Sequence, residues 1–202
     1  MPIPNYLHGK ELTPEQKLVV HATGTHKVIF IDAHAGTGKT WLVTAIAKTL
    51  NKKMHYIFAP VLQDVLGLLP GSLKEKEEPF LRPLKDALVS MGEIPEISLS
   101  ETEGWIEASS HVYWRGGNIE DSVVVIDEAQ NMTKHELKKI LTRCHDSCLV
   151  FVVGHSLQID LKNPNKSGFE PYLVHTENTD LATICTLTKN FRGKISTWAD
   201  KL

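Results

Sequence analysis

The segment AHAGTGKT, Ala33 to Thr40, constrains the fold of this chain more than any other feature of its sequence. A short β-branched run precedes it at Lys27 to Asp32, and an apolar helical pattern follows at Lys39 to Leu50. Glycines between a strand and a helix let successive backbone N–H groups surround phosphate oxygens, and the helix N-terminus adds partial positive charge. The segment therefore predicts a phosphate-binding loop in an alternating strand–helix fold.

The residue types of this loop predict different roles toward a nucleoside triphosphate. We expect Lys39 to reach the β- and γ-phosphates and Thr40 to offer its hydroxyl to Mg²⁺. The first motif position is Ala33, where glycine is more usual. A glycine-rich turn that binds nothing is the alternative. The residues predicted to bind the nucleotide within this loop are Ala35, Gly36, Thr37, Gly38, Lys39, Thr40 and Trp41.

A second apolar run, Ser122 to Asp127, ends in two adjacent carboxylates. Burying such a pair without a cation would be costly. We therefore expect Asp127 to hold Mg²⁺ and Glu128 to orient and deprotonate the attacking water. A strand that stops at an exposed Asp-Glu pair is the alternative interpretation.

The remaining pattern predicts a three-layer α/β domain with a mainly parallel sheet and ligands at the carboxyl ends of the strands. The length of 202 residues suits one domain over 1–202, with an N-terminal segment 1–26 and a core 27–202. Thr133 and Glu136 form the pattern of a helix capping box. The other predicted strands are Met54 to Ala59, Cys148 to Gly154 and Ala182 to Leu187, and the other predicted helices are Leu73 to Met91 and Lys134 to Arg143.

Composition argues against several classes of protein. Hydrophobic residues make up 42% and charged residues 23% of the chain, as in soluble globular proteins. No stretch approaches the roughly 20 apolar residues of a membrane helix, and no basic and apolar leader begins the sequence. We therefore expect a cytoplasmic protein without a membrane partner. A net charge of −2 gives no global sign of nucleic-acid binding, although a local basic strip is compatible with it.

Two short strings resemble motifs of superfamily-one helicases. DEAQ, Asp127 to Gln130, resembles motif II of that group, and LTPEQ, Leu12 to Gln16, resembles its Q-motif. The second resemblance implies that Gln16 reads the adenine edge through paired hydrogen bonds. A surface position on a helix is the alternative for this glutamine.

Two further strings resemble elements of the same helicases. GHSLQ, Gly154 to Gln158, follows a predicted strand and resembles the GDxxQ motif, with His155 in place of aspartate. This implies that Gln158 senses the γ-phosphate. LTKNFRG, Leu187 to Gly193, resembles the NYR element, which implies that Arg192 contacts the γ-phosphate.

A longer block, LGLLPGSLKEKEEPFLRPLKDAL at Leu66 to Leu88, closely resembles a segment of PhoH-like ATPases. That resemblance implies a RecA-like P-loop NTPase with ATP and Mg²⁺ as cofactors. Three positions depart from the family: Ala59 and Gly117 replace arginines, and His155 replaces aspartate. These changes weaken a basic face and the metal or water contact of that aspartate. Further matching strings lie at Trp114 to Gly117, Asp127 to Thr133, Leu141 to Arg143, Gln158 to Leu161 and Ser167 to Phe169.

The resemblance also implies an ATPase coupled to RNA or single-stranded DNA, with helicase-like or remodelling activity. A regulatory ATP switch that never translocates and a non-hydrolysing nucleotide-binding module are the alternatives, the second disfavoured by Glu128. Surface ion pairs are the alternative role for each predicted nucleic-acid contact. These contacts are Lys74, Lys76, Arg82 and Arg115.

The sequence continues only to Leu202 beyond the arginine element and shows no second motor half. We therefore expect a homo-oligomer, a hexameric ring by family analogy, in which a neighbouring subunit completes the site. Arg192 is the first candidate for a shared arginine finger and Arg143 the second; a surface arginine paired with an acid is the alternative. The short form would suit a phage-encoded protein that acts in the host cytoplasm.

Overall fold

The fold is built on a parallel six-stranded sheet. The computed structural model describes residues 6–60, 73–112, 114, 117–177 and 179–199. A two-stranded antiparallel hairpin, β1 (Tyr6–Leu7) and β2 (Lys10–Glu11), precedes the sheet. The sheet strands are β3 (Val28–Ala33), β4 (Met54–Phe58), β5 (Ile106–Ser110), β6 (Val123–Asp127), β7 (Leu149–Gly154) and β8 (Ala182–Leu187). All five strand pairs are parallel, in the order β5-β4-β6-β7-β3-β8.

Helices cover both faces of this sheet. They are α1 (Pro14–Ala22), α2 (Lys39–Thr49), α3 (Leu73–Ser90), α4 (Pro95–Ser98), α5 (Lys134–Leu141), α6 (Phe169–Thr176) and α7 (Lys194–Ala199). Short 3₁₀ turns lie at Ala129–Asn131 and Pro164–Lys166. One core joins α1, α2 and α3 to the sheet, and a second joins α5 and α6 to its other face. The predicted three-layer α/β architecture with a mainly parallel sheet is confirmed.

The central strands β6 and β7 were predicted well because they are buried along their whole length. Every residue of β6 and β7 is buried, as expected for strands covered by helices on both faces. Strand β5 was not predicted, because its sequence IEASS is polar and lies at an edge of the sheet, where only part of the strand is buried. The other predicted strands and the three predicted helices are present, with ends shifted by one or two residues.

The strand order determines where the site forms. Strand β7 lies between β3 and β6, so the loop that follows β3 and the acidic end of β6 are next-nearest neighbours. Parallel strands end at the same edge of a sheet, and ligands of open α/β sheets bind at that edge. The phosphate loop, Asp127 and the segment after Gly154 are therefore brought together.

Some predicted features lie outside the described residues. They include the segment 66–72 of the long family-like block and Arg115; for Lys74 and Lys76 the backbone is described, but the side chains are not. Across the described residues, no helix combines the length and the apolar character that crossing a bilayer requires.

Candidate nucleotide-binding site

Two glycines give the phosphate loop its tight curvature. Gly36 has a φ of 77° and Gly38 a φ of 74°, in the left-handed region that favours glycine. Thr37 is buried, and its hydroxyl donates a hydrogen bond of 2.9 Å to the carbonyl of His34. Gly38 caps the N-terminus of α2, so the helix begins at Lys39 directly below the loop. This arrangement directs backbone N–H groups and the positive end of the helix toward one space.

Asp127 occupies the end of β6 and is only 3% exposed. Its Oδ2 accepts hydrogen bonds from the Thr40 hydroxyl at 3.0 Å and the Tyr56 hydroxyl at 2.6 Å. The N–H of Glu128 donates to its Oδ1 at 2.9 Å. Burial, together with the negative charge of Asp127, raises the pKa of Tyr56 well above its usual value, so the phenol remains a neutral donor. These three donors are uncharged, and a buried carboxylate among them has a strong affinity for a cation.

Glu128 has an unusual backbone and a constrained side chain. Its φ is 54°, a conformation rare outside glycine that marks functional segments. Gln130 donates from Nε2 to the Glu128 carboxylate at 2.7 Å and accepts the His155 N–H at 3.1 Å. Burial, aided by the charge of Asp127, raises the pKa of Glu128, and the Lys39 ammonium opposes the shift. A carboxylate with a raised pKa is a stronger base toward water.

A cavity of about 500 Å³ opens onto the phosphate loop. Its lining extends from the loop and the acidic strand end to the N-terminal hairpin, α1 and the face of α3. This volume is within the usual range of small-molecule sites. Of the predicted site residues, those brought together here are Gln16, Gly36, Gly38, Lys39, Thr40, Trp41, Glu128 and Arg192.

Gln16 combines a structural contact with a place at the cavity. Its side-chain Oε1 accepts the N–H of Thr13 at 3.1 Å, and its own N–H donates to the Thr13 hydroxyl at 3.2 Å. This capping box begins α1. The side-chain Nε2 lies 3.8 Å from the position that a Cβ on Gly38 would occupy. One end of the amide thus caps the helix, and the other lies beside the phosphate loop.

Arg192 lies against the phosphate loop of its own chain. The N–H of Phe191 donates to the Gly36 carbonyl at 2.8 Å, which fixes the segment after β8 onto the loop. A Cβ on Gly36 would be 2.8 Å from Cγ and 2.9 Å from Cδ of Arg192. These contacts within one chain do not test whether Arg192 serves a neighbouring subunit, and that role stays a prediction. A return of the chain across its own loop places this side chain at the site in cis.

Gln158 and Arg143 are not brought to the cavity. Gln158 is exposed after β7, and its N–H donates to the His155 carbonyl at 3.1 Å. Arg143 follows α5, and its carbonyl accepts the N–H of Ile119 at 2.8 Å just before β7 begins. Strand starts lie at the edge opposite the phosphate loop, so Arg143 can approach a nucleotide only across a subunit contact. Ala35 and Thr37 belong to the loop but do not line the cavity.

Several residues at the site were not predicted. Tyr56 lies within an apolar strand, where nothing in the sequence marks its hydroxyl as functional. The motif around residue 192 pointed to the arginine and not to the neighbouring Phe191. Asp32 is the next-to-last residue of β3 and Asp127 the last residue of β6, so both acids lie near the same edge of the sheet. The Asp32 carboxylate accepts the N–H of Ser156 at 3.0 Å and its hydroxyl at 2.8 Å, so this acid anchors the segment after β7.

Comparison with known proteins identifies relatives of the chain. The family profile described as PhoH-like protein matches residues 10–200. The chain is 38% identical over 183 residues to a PhoH-like protein of Mycobacterium leprae, covering 85% of this chain and 52% of that protein. It is 35% identical over 176 residues to Protein PhoH of Escherichia coli K12, covering 83% and 50%. The chain thus spans about half the length of these curated relatives.

Among solved structures, the crystal structure of the Pif1 helicase from Candida albicans superposes with a TM-score of 0.46 at 18% identity. The match covers 95% of this chain and 43% of that one. The profile match and the relatives, together with the phosphate loop, define a P-loop NTPase-type domain. The chain belongs to the PhoH-like protein family.

Proposed function

We propose that this chain binds ATP with Mg²⁺ and hydrolyses it. The observation that carries the proposal is the 3.0 Å hydrogen bond from the Thr40 hydroxyl to the Asp127 carboxylate, between residues 87 positions apart. It joins the first turn of the phosphate-loop helix to the acidic end of β6. A hydroxyl and a carboxylate are the hard oxygen donors that Mg²⁺ prefers, and Asp127 accepts hydrogen bonds here from neutral groups only.

The residues around this contact have separate roles in the transfer of the γ-phosphoryl group to water. Thr40 and Asp127 would hold Mg²⁺, which when bound neutralises charge on the phosphate oxygens. Lys39 and the backbone N–H groups between Gly36 and Lys39 bind the phosphates. Glu128 accepts a proton from the attacking water, because burial and the neighbouring carboxylate raise its pKa. Gln130 fixes the orientation of the Glu128 carboxylate.

Recognition of the base is assigned to the part of the cavity beside Gly38, where Gln16 and Phe191 lie. Gln16 retains its Nε2 hydrogens for an acceptor on the adenine edge, since only its Oε1 caps α1. Phe191 lines the same part of the cavity and is 54% exposed. Lys189 Nζ lies 5.4 Å from the centroid of its ring, and the exposed area of the ring provides a surface on which a base can stack.

Arg192 is assigned to charge stabilisation within its own chain. Its aliphatic part lies against Gly36, and the residue lines the cavity together with Lys39 and Glu128. A cation that contacts the transferred phosphoryl group contributes about 10³ to 10⁵ in rate in P-loop NTPases. Gln158 remains a proposed γ-phosphate sensor and Arg143 a proposed finger from a neighbouring subunit.

We further propose that hydrolysis is coupled to RNA or single-stranded DNA, and that the working form is a homo-oligomer. Support comes from the helicase-like motifs and from Arg82, which is exposed on α3 next to Pro83 at the cavity. Such contacts to phosphates make binding fall steeply with salt. Lys74, Lys76 and Arg115 remain proposed contacts.

The proposal is tested by measuring ATP binding and hydrolysis with and without Mg²⁺, and with and without RNA or single-stranded DNA. Lys39→Ala should abolish hydrolysis and weaken ATP binding, whereas Lys138→Ala, on the exposed side of α5, should behave like the wild type. Hydrolysis that nucleic acid leaves unchanged would favour a regulatory switch. Binding without hydrolysis would favour a nucleotide-binding module, and failure to bind ATP would reject the proposal.

A further inference from the structure

Helix α3, which forms the described part of the long family-like block, contributes one side of the cavity beside the phosphate loop. Its lining residues occupy positions i, i+3, i+4 and i+7 of one helical face: Pro83, Asp86, Ala87 and Ser90. We call this face the α3 wall. Leu84 and Leu88 are fully buried and join the helix to the core against which Trp41 also packs. The α3 wall is therefore held in place by the core, and the proposed hydrolysis gives it no role.

Trp41 places the α3 wall close to the phosphate-binding residues. It follows Thr40 in the first turn of α2 and lines the cavity together with the wall. In a nucleoside triphosphate, the sugar lies between the phosphates and the base. The phosphates are assigned to the loop and the base to the part of the cavity beside Gly38. If ATP binds as proposed, the sugar is the group that lies nearest to Trp41 and the α3 wall.

Asp86 is the charged residue of this wall. Its side chain is exposed, and among the described residues no ion pair or hydrogen bond engages its carboxylate. A carboxylate accepts hydrogen bonds and repels phosphate oxygens, so it suits a part of the ligand that carries donors and no charge. Ribose hydroxyls are such donors, and an acidic residue binds them in dinucleotide-binding folds.

We propose that Asp86 accepts hydrogen bonds from the ribose hydroxyls and makes the site selective for ribonucleoside triphosphates over their deoxy forms. The inference rests on the proposed ATP binding and names the sugar that this site prefers. Asp86 would be a specificity-determining residue, because it is assigned to the sugar and not to the reacting phosphoryl group. Its loss should therefore change the affinity for ATP and leave the rate of cleavage of bound ATP unchanged.

A second free carboxylate, that of Glu11, lines the cavity from the N-terminal hairpin. The neighbouring Lys10 also lines it, with Nζ 4.8 Å from the centroid of the Trp41 ring, so the hairpin brings balanced charge. Glu11 lies on a strand of only two residues, whereas α3 is anchored by two fully buried leucines. A preorganised acceptor loses less entropy on binding, which favours Asp86 as the residue that reads the sugar.

Calorimetric titration of the full chain with ATP, 2′-deoxy-ATP and 3′-deoxy-ATP, each with Mg²⁺, tests this assignment. The wild type should bind ATP about tenfold more tightly than at least one deoxy analogue, because a hydrogen bond to a charged acceptor is lost. Asp86→Ala should bind ATP and that analogue equally, so the coupling between hydroxyl and carboxylate disappears. Glu78→Ala removes an acid from the same helix that lines a different cavity, beside β5, and should keep the wild-type preference.

Several outcomes would overturn the assignment. Equal affinity of the wild type for all three nucleotides is one, and a preference for ATP that survives Asp86→Ala or disappears only in Glu11→Ala is another. Titration with inosine triphosphate, which lacks the amino group of adenine, separates sugar from base. If Asp86→Ala weakens the binding of ATP but not of inosine triphosphate, Asp86 reads the base and the proposal is wrong.

The same titrations separate this inference from the proposed function. ATP binding without any preference for the ribose form rejects the inference alone. Failure of every nucleotide to bind rejects the proposed ATP binding and the inference together. Single-turnover cleavage at saturating ATP should be equal in the wild type and Asp86→Ala; a large loss of rate there would contradict a role confined to the sugar.

Discussion

Two helices of this domain begin with the same local motif and use it differently. Helices α1 and α5 both start with a threonine N-cap and a reciprocal hydrogen bond from the third helical residue. In α1 that residue is Gln16, whose Oε1 caps the helix while its Nε2 lies beside the phosphate loop. In α5 it is Glu136, whose Oε2 accepts the N–H and hydroxyl of Thr133 at 2.7 and 2.8 Å.

The second carboxylate oxygen of Glu136 is also engaged. It lies 3.3 Å from Nε2 of His111, whose Nδ1 is 3.3 Å from the carbonyl of Phe58. The hydrogen bond with His111, with those from Thr133, lowers the pKa of Glu136 to about 2 although burial opposes the shift. The two motifs differ in what they leave for a ligand: the Gln16 amide has its Nε2 beside the phosphate loop, whereas both carboxylate oxygens of Glu136 are engaged within the fold. We therefore propose a nucleotide-binding role for Gln16 and a structural role for Glu136.

The largest expected difference between the two capping boxes is in the free energy of unfolding. Glu136→Ala removes a cap and a charged hydrogen bond to buried His111, and should lower the free energy of unfolding by about 3 kcal/mol. Chemical denaturation measures this change, with Glu170→Ala, at an exposed position of α6, as the control. ATP affinity at a temperature where the variant is folded should be unchanged; a large loss of affinity would contradict the purely structural role.

Gln16→Glu tests the proposed binding role of the capping box of α1. The glutamate can still cap α1 through a carboxylate oxygen, but it loses both amide donors and adds a negative charge near the phosphates. ATP affinity should fall roughly 30-fold, about 2 kcal/mol, with little change in the melting temperature. Calorimetric titration with ATP checks the affinity. Wild-type affinity for ATP in the folded variant would remove Gln16 from the binding site.

The two boxes should also differ in their response to acid. A carboxylate whose pKa is lower in the folded state stabilises the fold above its unfolded pKa, and this contribution is lost as pH falls through the folded pKa. For Glu136 the loss should extend from about pH 4.5 to about pH 2 and amount to about 1–2 kcal/mol, allowing for solvent screening of a partly exposed group. Urea unfolding at several pH values should show a smaller acid-induced loss in Glu136→Gln, which cannot ionise. An equal loss in the variant would assign it to other carboxylates.

The smallest expected difference lies in the caps themselves. Thr13→Ala and Thr133→Ala each remove one hydroxyl that accepts a backbone N–H, and each should cost about 1 kcal/mol of stability or somewhat more at Thr133, whose hydroxyl also donates to Glu136. Thermal unfolding of both variants checks these costs. A much larger cost at Thr13 would show that the start of α1 stabilises the domain beyond its own helix.

Much of the fold was predictable because its signals are local. The phosphate loop, the apolar runs of β6 and β7 and the cap at Thr133 depend on neighbours in sequence, and each was placed within one or two residues. Strand β5 was not predicted, because an edge strand needs no continuous apolar run. The hairpin before α1 was not predicted, because each of its strands has only two residues.

The site was less predictable where it depends on long-range contacts. No local pattern marks Tyr56 as a partner of Asp127, since the strand β4 would be equally apolar without the phenol. The motif singled out Arg192, but its position beside the phosphate loop of its own chain follows from the hydrogen bond between Phe191 and Gly36, which joins distant parts of the sequence. Arg143 lies at the opposite edge of the sheet, so its role as a finger stays a prediction that requires a neighbouring subunit.

The central claim is that Glu128 acts as the base at a site where Asp127 and Thr40 hold Mg²⁺ and Lys39 binds the phosphates. The most direct test combines ATP binding with single-turnover hydrolysis of γ-labelled ATP by Glu128→Gln. The claim predicts that this variant binds Mg²⁺–ATP at least as tightly as the wild type but cleaves it about 10² to 10⁴ times more slowly. Glu170→Gln should cleave ATP at the wild-type rate. Hydrolysis by Glu128→Gln at the wild-type rate would contradict the claim.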